Sequence, residues 1–269
     1  RNSPEFLIED THQSLADTKE WLEASAQFGP LVKPIITPRF VPSCTSELMS
    51  GLGNLAEAYN VPVQSHLSEN HGEIDWVAAL HPEAANYTDV YYEHHLMGKV
   101  PTVMAHCIHL SDVEMDRMAE TQTMVSHCPY SNVNLSSGIA PIRKLFERKI
   151  PIGLGSDISG GHIVSMAKVL TEAIGLSKMK WVEVDQTYAP LTLSEAFYMA
   201  TKGGGKFFGK VGSFEKGCEL DALVIDDTTL FDPNERSLEE RLERWLYVGD
   251  DRHIVERYIA GKVAPEPTN

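Results

Sequence analysis

Basic residues are scarce in this chain: 23 Lys and Arg stand against 38 Asp and Glu, a formal charge of -15 with neutral histidine. So acidic a surface repels phosphate, and nucleic acid is excluded as the expected partner. Long apolar runs are also missing. His, Asp or Pro interrupts each within a few residues, short of the roughly 20 that a membrane-crossing helix needs, so a soluble protein with no membrane partner is expected. Cysteine is sparse, and Cys44, Cys107, Cys128 and Cys218 never form a CxxC pair. That argues against a zinc knuckle and a disulfide scaffold, and it suits a reducing cytosol. No phosphate loop is present: Gly51-Leu52-Gly53 lies inside a helical period, and Gly203-Gly204-Gly205-Lys206 lacks the spacing and hydroxyl of one. The HxE then PCxxC signature of nucleic-acid deaminases is absent too. Asn86 and Asn134 open Asn-x-Ser/Thr matches, but no secretory signal accompanies them and both are read as chance.

The 269 residues (29.9 kDa) are 42% hydrophobic and 23% charged, the composition of an ordinary globular chain long enough to enclose a core. Leu48, Leu52, Leu55, Ala56 and Tyr59 keep a helical period and are followed at once by an apolar run at Val61–Val63. Strand candidates recur at Leu31–Ile36, Pro62–His66, Val100–His106, Thr123–His127 and Ile150–Leu154, each separated by a helix-compatible stretch. Such alternation implies a parallel α/β fold. Capping boxes at Ser111–Glu114, Thr192–Glu195 and Ser237–Glu240 mark helix starts. Past Phe207 glycines punctuate short segments, among them Leu220–Ile225 and Val255–Ile259, and a small antiparallel β piece is expected. A closed β/α barrel takes about eight strands, more than these candidates supply. With Arg1 rather than Met at the start, the count suggests a chain that begins in mid-barrel.

The chemistry gathers at strand ends, where parallel β/α folds build their sites. His66 and Glu69 leave the second candidate, His106 ends the third, and Gly153-Leu154-Gly155-Ser156-Asp157 ends the last. Alone, the first motif could be a solvated polar loop; repeated at successive ends, metal-competent side chains favour a metal site. Imidazole with carboxylate suits zinc or iron better than calcium or magnesium. His127 is a further ligand or, more often in such a place, a structural hydrogen-bonding group. His94, His95 and His109 default to solvated or core-satisfied roles. Arg39 and Phe40 follow the first candidate. They suit a planar oxo-heterocycle equally as well as a surface salt bridge beside a buried ring.

These strand-end motifs resemble the amidohydrolase superfamily. A narrower likeness, to the guanine deaminase family, rests on Ile36-Thr37-Pro38-Arg39-Phe40, on Gln64-Ser65-His66-Leu67-Ser68-Glu69-Asn70 and on Leu246-Tyr247-Val248-Gly249-Asp250-Asp251-Arg252-His253-Ile254. The resemblance implies an incomplete TIM-like (β/α) barrel over 1–207, followed at 208–269 by part of a small β-sandwich with a helical segment. It implies one zinc ion (iron possible) on His66, His106 and Asp157, Glu69 as proton shuttle, Asp157 also orienting the attacking water, and Arg39 and Phe40 on the substrate. Guanine would be that substrate, hydrolysed to xanthine and ammonia in a cytosolic homodimer. One departure stands out: the family's His-x-His pair has no counterpart, because no two histidines here are separated by a single residue. The chain is therefore expected to be the C-terminal portion of such an enzyme. Two alternatives remain: an aminohydrolase for another amino-heterocycle, and a truncated chain without catalysis.

Overall fold

A computed structural model describes residues 1–264. In chain order it forms helices α1 (Thr11–Ser25) and α2 (Ser46–Tyr59), strand β1 (Val63–Leu67), α3 (His71–Leu80), α4 (Tyr87–Glu93), β2 (Thr102–His106), α5 (Asp112–Thr121), β3 (Met124–His127), α6 (Pro129–Asn134), α7 (Ile142–Glu147) and β4 (Ile152–Leu154). There follow α8 (Met166–Glu183), α9 (Leu193–Tyr198), β5 (Ala222–Ile225), α10 (Leu238–Val248), β6 (Ile254–Ile259) and β7 (Lys262–Val263). The strands form one sheet in the order β1-β2-β3-β4 and another in the order β5-β6-β7. By its contacts the chain separates into two compact units, Arg1–Ser126 with Ala140–Pro151, and His127–Ile139 with Ile152–Asn269. Among the described residues no helix is long and apolar enough to cross a membrane.

In the first unit β1 lies parallel to β2, with Val63 opposite Thr102 and Leu67 opposite His106. Parallel pairing continues to β3, where Val103 faces Met124. Val63, Leu67 and Met104 are fully buried, together with Met115 and Met118 of α5. Unbranched methionines fill the irregular space between sheet and helix. α2 packs closely enough that a Cβ on Gly53 would stand 2.0 Å from the His94 carbonyl oxygen. Any side chain there would push the His94 backbone off the helix, which explains a glycine in a helical period.

The strand expected at Leu31–Ile36 does not form. Ile36 alone pairs, in an isolated parallel bridge to Val63: its N–H donates to the Pro62 carbonyl and its carbonyl accepts from Gln64 N–H, both at 2.9 Å. Pro30, Pro34 and Pro38 explain the failure, since each lacks an N–H and fixes φ, so no continuous ladder can run through them. Leu31 and Val32 are left exposed.

In the second unit α8 buries Val169, Leu170, Ala173 and Ile174 on one stripe. Lys168 donates to the Leu246 and Tyr247 carbonyls at 3.3 and 2.9 Å, placing a cation at the negative C-terminal end of α10. The helix that starts at the Thr192 capping box passes into a π-turn over Met199–Gly203. A Cβ on Gly203 would lie 2.8 Å from the Ile152 carbonyl, so the backbone of this turn rests directly on β4. The late antiparallel sheet forms as expected: Ala222 pairs with Tyr258, and a bulge at Val224/Ile225 shifts the register before Ile254. All three expected capping boxes are made, at Ser111, Thr192 and Ser237.

Candidate active site

β1 and β2 bring His66 and His106 to the same end of the sheet. Register alone would separate their rings, because Leu67, not His66, is the partner of His106 and side chains alternate between faces. The backbone resolves this. His106 has a left-handed φ of 70° and Cys107 follows at 52°, so alternation breaks at the last residue of the strand. The rings then stack, with centroids 5.4 Å apart and planes 22° from parallel. Such a conformation costs a β-carbon-bearing residue about 1 kcal/mol or more, and it is held by its surroundings. Leu67 O accepts from Cys107 N–H at 3.0 Å, and Ser68 O accepts from the N–H groups of Ile108 and His109 at 3.1 Å each. Ser68 is itself left-handed at 49°.

Glu69 enters from the same turn, its Oε2 standing 3.7 Å from His106 Nε2. His106 is buried and Glu69 largely so. The start of α3 fixes the Glu69 backbone. Asn70 caps the helix through the N–H of Glu73, and the Glu73 carboxylate accepts from Glu69 N–H at 2.8 Å and from Asn70 N–H at 3.4 Å. Tyr87 donates to the other oxygen of Glu73 at 2.7 Å. Burial pushes the Tyr87 phenol well above its ordinary pKa, with Tyr91 and Glu73 adding to the shift. It therefore stays a neutral donor.

His66 is fixed from its other nitrogen: Nδ1 lies 2.5 Å from the Arg39 carbonyl oxygen. A carbonyl can only accept, so the proton sits on Nδ1 and the Nε2 lone pair is left for a ligand, the arrangement typical of a metal-binding histidine. The Arg39 side chain is exposed and Phe40 half-buried, with the Phe40 ring edge-on to Trp76 at 6.3 Å. His109 packs against His71, ring centroids 4.0 Å apart. The first unit thus gathers His66, His106, Glu69 and the Arg39 backbone in one place.

The second unit holds the other two strand-end candidates. His127 ends β3 and is buried; its carbonyl accepts from Gly155 N–H at 2.9 Å. Asp157 follows β4 with φ of 45°, and its carbonyl accepts from Gly161 N–H at 2.7 Å. Among the described residues no three His, Cys, Asp or Glu side chains form a set that could hold a metal by themselves. The donors present fit a zinc site in kind, two imidazoles, that of His66 with Nδ1 committed to the Arg39 carbonyl, rather than in number.

Ser65, Tyr91 and Glu73 were not among the candidates from sequence. Glu73 had a usable signal, since Asn70-x-x-Glu73 is a capping box directly after the His66 strand. Tyr91 had none, because its partners are distant in sequence.

A parallel β/α sheet with imidazoles and carboxylates at strand ends is the kind of scaffold on which metal-assisted hydrolases build their sites. The Amidohydrolase family model matches residues 4–264, and the chain belongs to that family. Within it, the chain is 44% identical to a guanine deaminase of Dictyostelium discoideum over 269 residues, covering 97% of this chain and 59% of the relative. The structure superposes on a crystal structure of guanine deaminase from C. acetobutylicum with bound guanine at a TM-score of 0.94 and 52% identity, covering 97% of this chain and 62% of the other. An adenosine deaminase from Xanthomonas campestris with bound zinc shares the fold at 23% identity and a TM-score of 0.81, over 97% of this chain and 58% of the other. The chain therefore spans about three-fifths of the length of the proteins it matches.

Proposed function

We propose that a full-length protein containing this chain hydrolyses guanine to xanthine and ammonia, with His66, His106 and Asp157 among the ligands of one zinc ion. The observation that carries this reading is the stacked His66–His106 pair with Glu69 3.7 Å from His106, at the strand ends of a chain similar to guanine deaminases. Zinc, when bound, would supply Lewis-acid activation of water near neutral pH, and iron is the alternative metal. Glu69 takes one proton from the water and passes it to a ring nitrogen of the purine, then takes the second proton from the hydroxyl added at carbon and gives it to the departing amine. Water adds at the amino-bearing carbon, ammonia leaves, and the carbonyl of xanthine remains. Asp157 orients the water.

The Arg39 guanidinium, exposed at the rim, offers paired donors to the purine carbonyl, and Phe40 contacts the ring. The barrel portion is read as 1–207 and the sandwich portion as 208–269, a division supported by β5, β6 and β7 all falling after residue 207. A cytosolic homodimer completes the reading. Ammonia release from guanine, adenine, 8-oxoguanine and a triazine by the zinc-loaded full-length protein tests it: guanine is the preferred substrate, and preference for another member of the panel refutes the assignment.

A further inference from the structure

Two buried hydroxyls meet beside the backbone of His66. Ser65 is 4% exposed and Tyr91 is fully buried. Ser65 Oγ lies 2.7 Å from the Pro38 carbonyl, 3.2 Å from the Arg39 carbonyl and 2.7 Å from Tyr91 Oη. Tyr91 Oη also donates to the His66 carbonyl at 2.8 Å. The pair owns two protons. Ser65 gives its proton to the Pro38–Arg39 backbone and accepts from Tyr91, which shares its own between Ser65 and His66. Apart from Ser65 Oγ, every acceptor named is a backbone carbonyl of Pro38, Arg39 or His66, so the two side chains clasp the Arg39 segment to the end of β1.

We propose that Ser65 and Tyr91 are positioning residues that lock the Pro38–Arg39 backbone, so that the Arg39 carbonyl holds the His66 imidazole as its Nδ1–H tautomer with Nε2 open to a ligand. The inference rests on the proposed function only for what Nε2 binds. The isolated bridge at Ile36 gives the Arg39 segment no further ladder support, and prolines at 34 and 38 remove donors from it. The hydroxyl pair thus replaces the strand pairing that the sequence forbids. Burial drives the Tyr91 phenol far above its usual pKa, the Ser65 and Tyr87 hydrogen bonds opposing only in part, so the group remains a donor throughout the accessible pH range. Arg39 then has two duties on one residue: its carbonyl sets the tautomer of His66, and its exposed side chain is left for the substrate role proposed above.

The test is 15N NMR of His66 in the 269-residue chain at a pH where imidazole is neutral, for the wild type, Ser65→Ala, Tyr91→Phe and Thr102→Val. The Nδ1–H form dominates in the wild type. Ser65→Ala and Tyr91→Phe lower the ratio of Nδ1–H to Nε2–H by about fivefold, the effect of loosening one orienting hydrogen bond. Thr102→Val removes an equally buried hydroxyl, but one bonded to the Leu96 and Val100 carbonyls, and leaves the ratio unchanged. That contrast separates positioning from a general loss of packing. Should Tyr91→Phe fail to fold, Ser65→Ala decides alone. A wild-type His66 protonated on Nε2, or a ratio indifferent to Ser65→Ala, overturns the proposal. Zinc affinity, measured on the full-length protein by chelator competition, drops about tenfold in Ser65→Ala if His66 is a ligand. A shifted tautomer with unaltered zinc affinity upholds the clasp and refutes His66 as a metal ligand.

Discussion

Replacing Glu73 by alanine attacks the support beneath Glu69 without touching Glu69 itself. The wild-type carboxylate is buried at 7% exposure and accepts three hydrogen bonds, from Glu69 N–H, Asn70 N–H and the Tyr87 hydroxyl. Truncation opens half of the capping box of α3, a loss of about 1 kcal/mol. It also takes from the Tyr87 hydroxyl, 3% exposed, its charge-assisted bond to Glu73, at a cost of about 2 kcal/mol. The expected destabilisation is about 3 kcal/mol, or about 6–12 °C in the thermal midpoint of a chain this size. Glu73→Gln keeps an oxygen for the two N–H groups and an amide for Tyr87, whose hydroxyl can turn to accept, so it forfeits only charge assistance, about 1 kcal/mol. Urea unfolding of both variants, followed by circular dichroism, reads the difference. Equal stabilities for the two variants, or a loss under about 1 kcal/mol for Glu73→Ala, would refute the reasoning.

Other perturbations probe different links. Gly53→Ala places a methyl where the His94 carbonyl sits and destabilises by about 1–3 kcal/mol; a neutral result in the same urea assay means that the α2 contact is looser than described. Glu69→Gln in the full-length protein retains zinc and loses about 10²- to 10⁴-fold in kcat, whereas unchanged turnover removes Glu69 from proton transfer. Arg39→Ala keeps the carbonyl that fixes His66 and removes only the guanidinium, so KM for guanine rises with little change in kcat; intact guanine affinity ends its recognition role.

The β/α alternation was legible because short strand-forming segments, with buried Val63, Met104, Val125 and Ile152 among them, recur between helix caps and turn residues. The capping boxes at Ser111, Thr192 and Ser237 read directly, since their chemistry is local in sequence. The candidate at Leu31–Ile36 misled because its apolar content is that of a strand, while Pro30 and Pro34 withdraw the donors a ladder needs. Periodicity also missed the π-turn at Met199–Gly203, which is set by backbone contact of Gly203 with Ile152. At the site, His66, His106 and Glu69 announced themselves as strand-end residues. The left-handed His106 that lets the rings stack did not, for a single φ leaves no trace in residue type. Ser65, Tyr91 and the Arg39 carbonyl were hidden for a related reason: all three act through backbone carbonyls, between residues 25 to 27 positions apart.

The central claim is that these strand-end imidazoles hold the metal that deaminates guanine. It is tested most directly by measuring bound zinc and xanthine formation together in the full-length protein, for the wild type, His66→Ala and His106→Ala. Both substitutions should strip zinc and xanthine production in parallel, with the fold retained. Full xanthine formation, or undiminished zinc, in either variant contradicts the account.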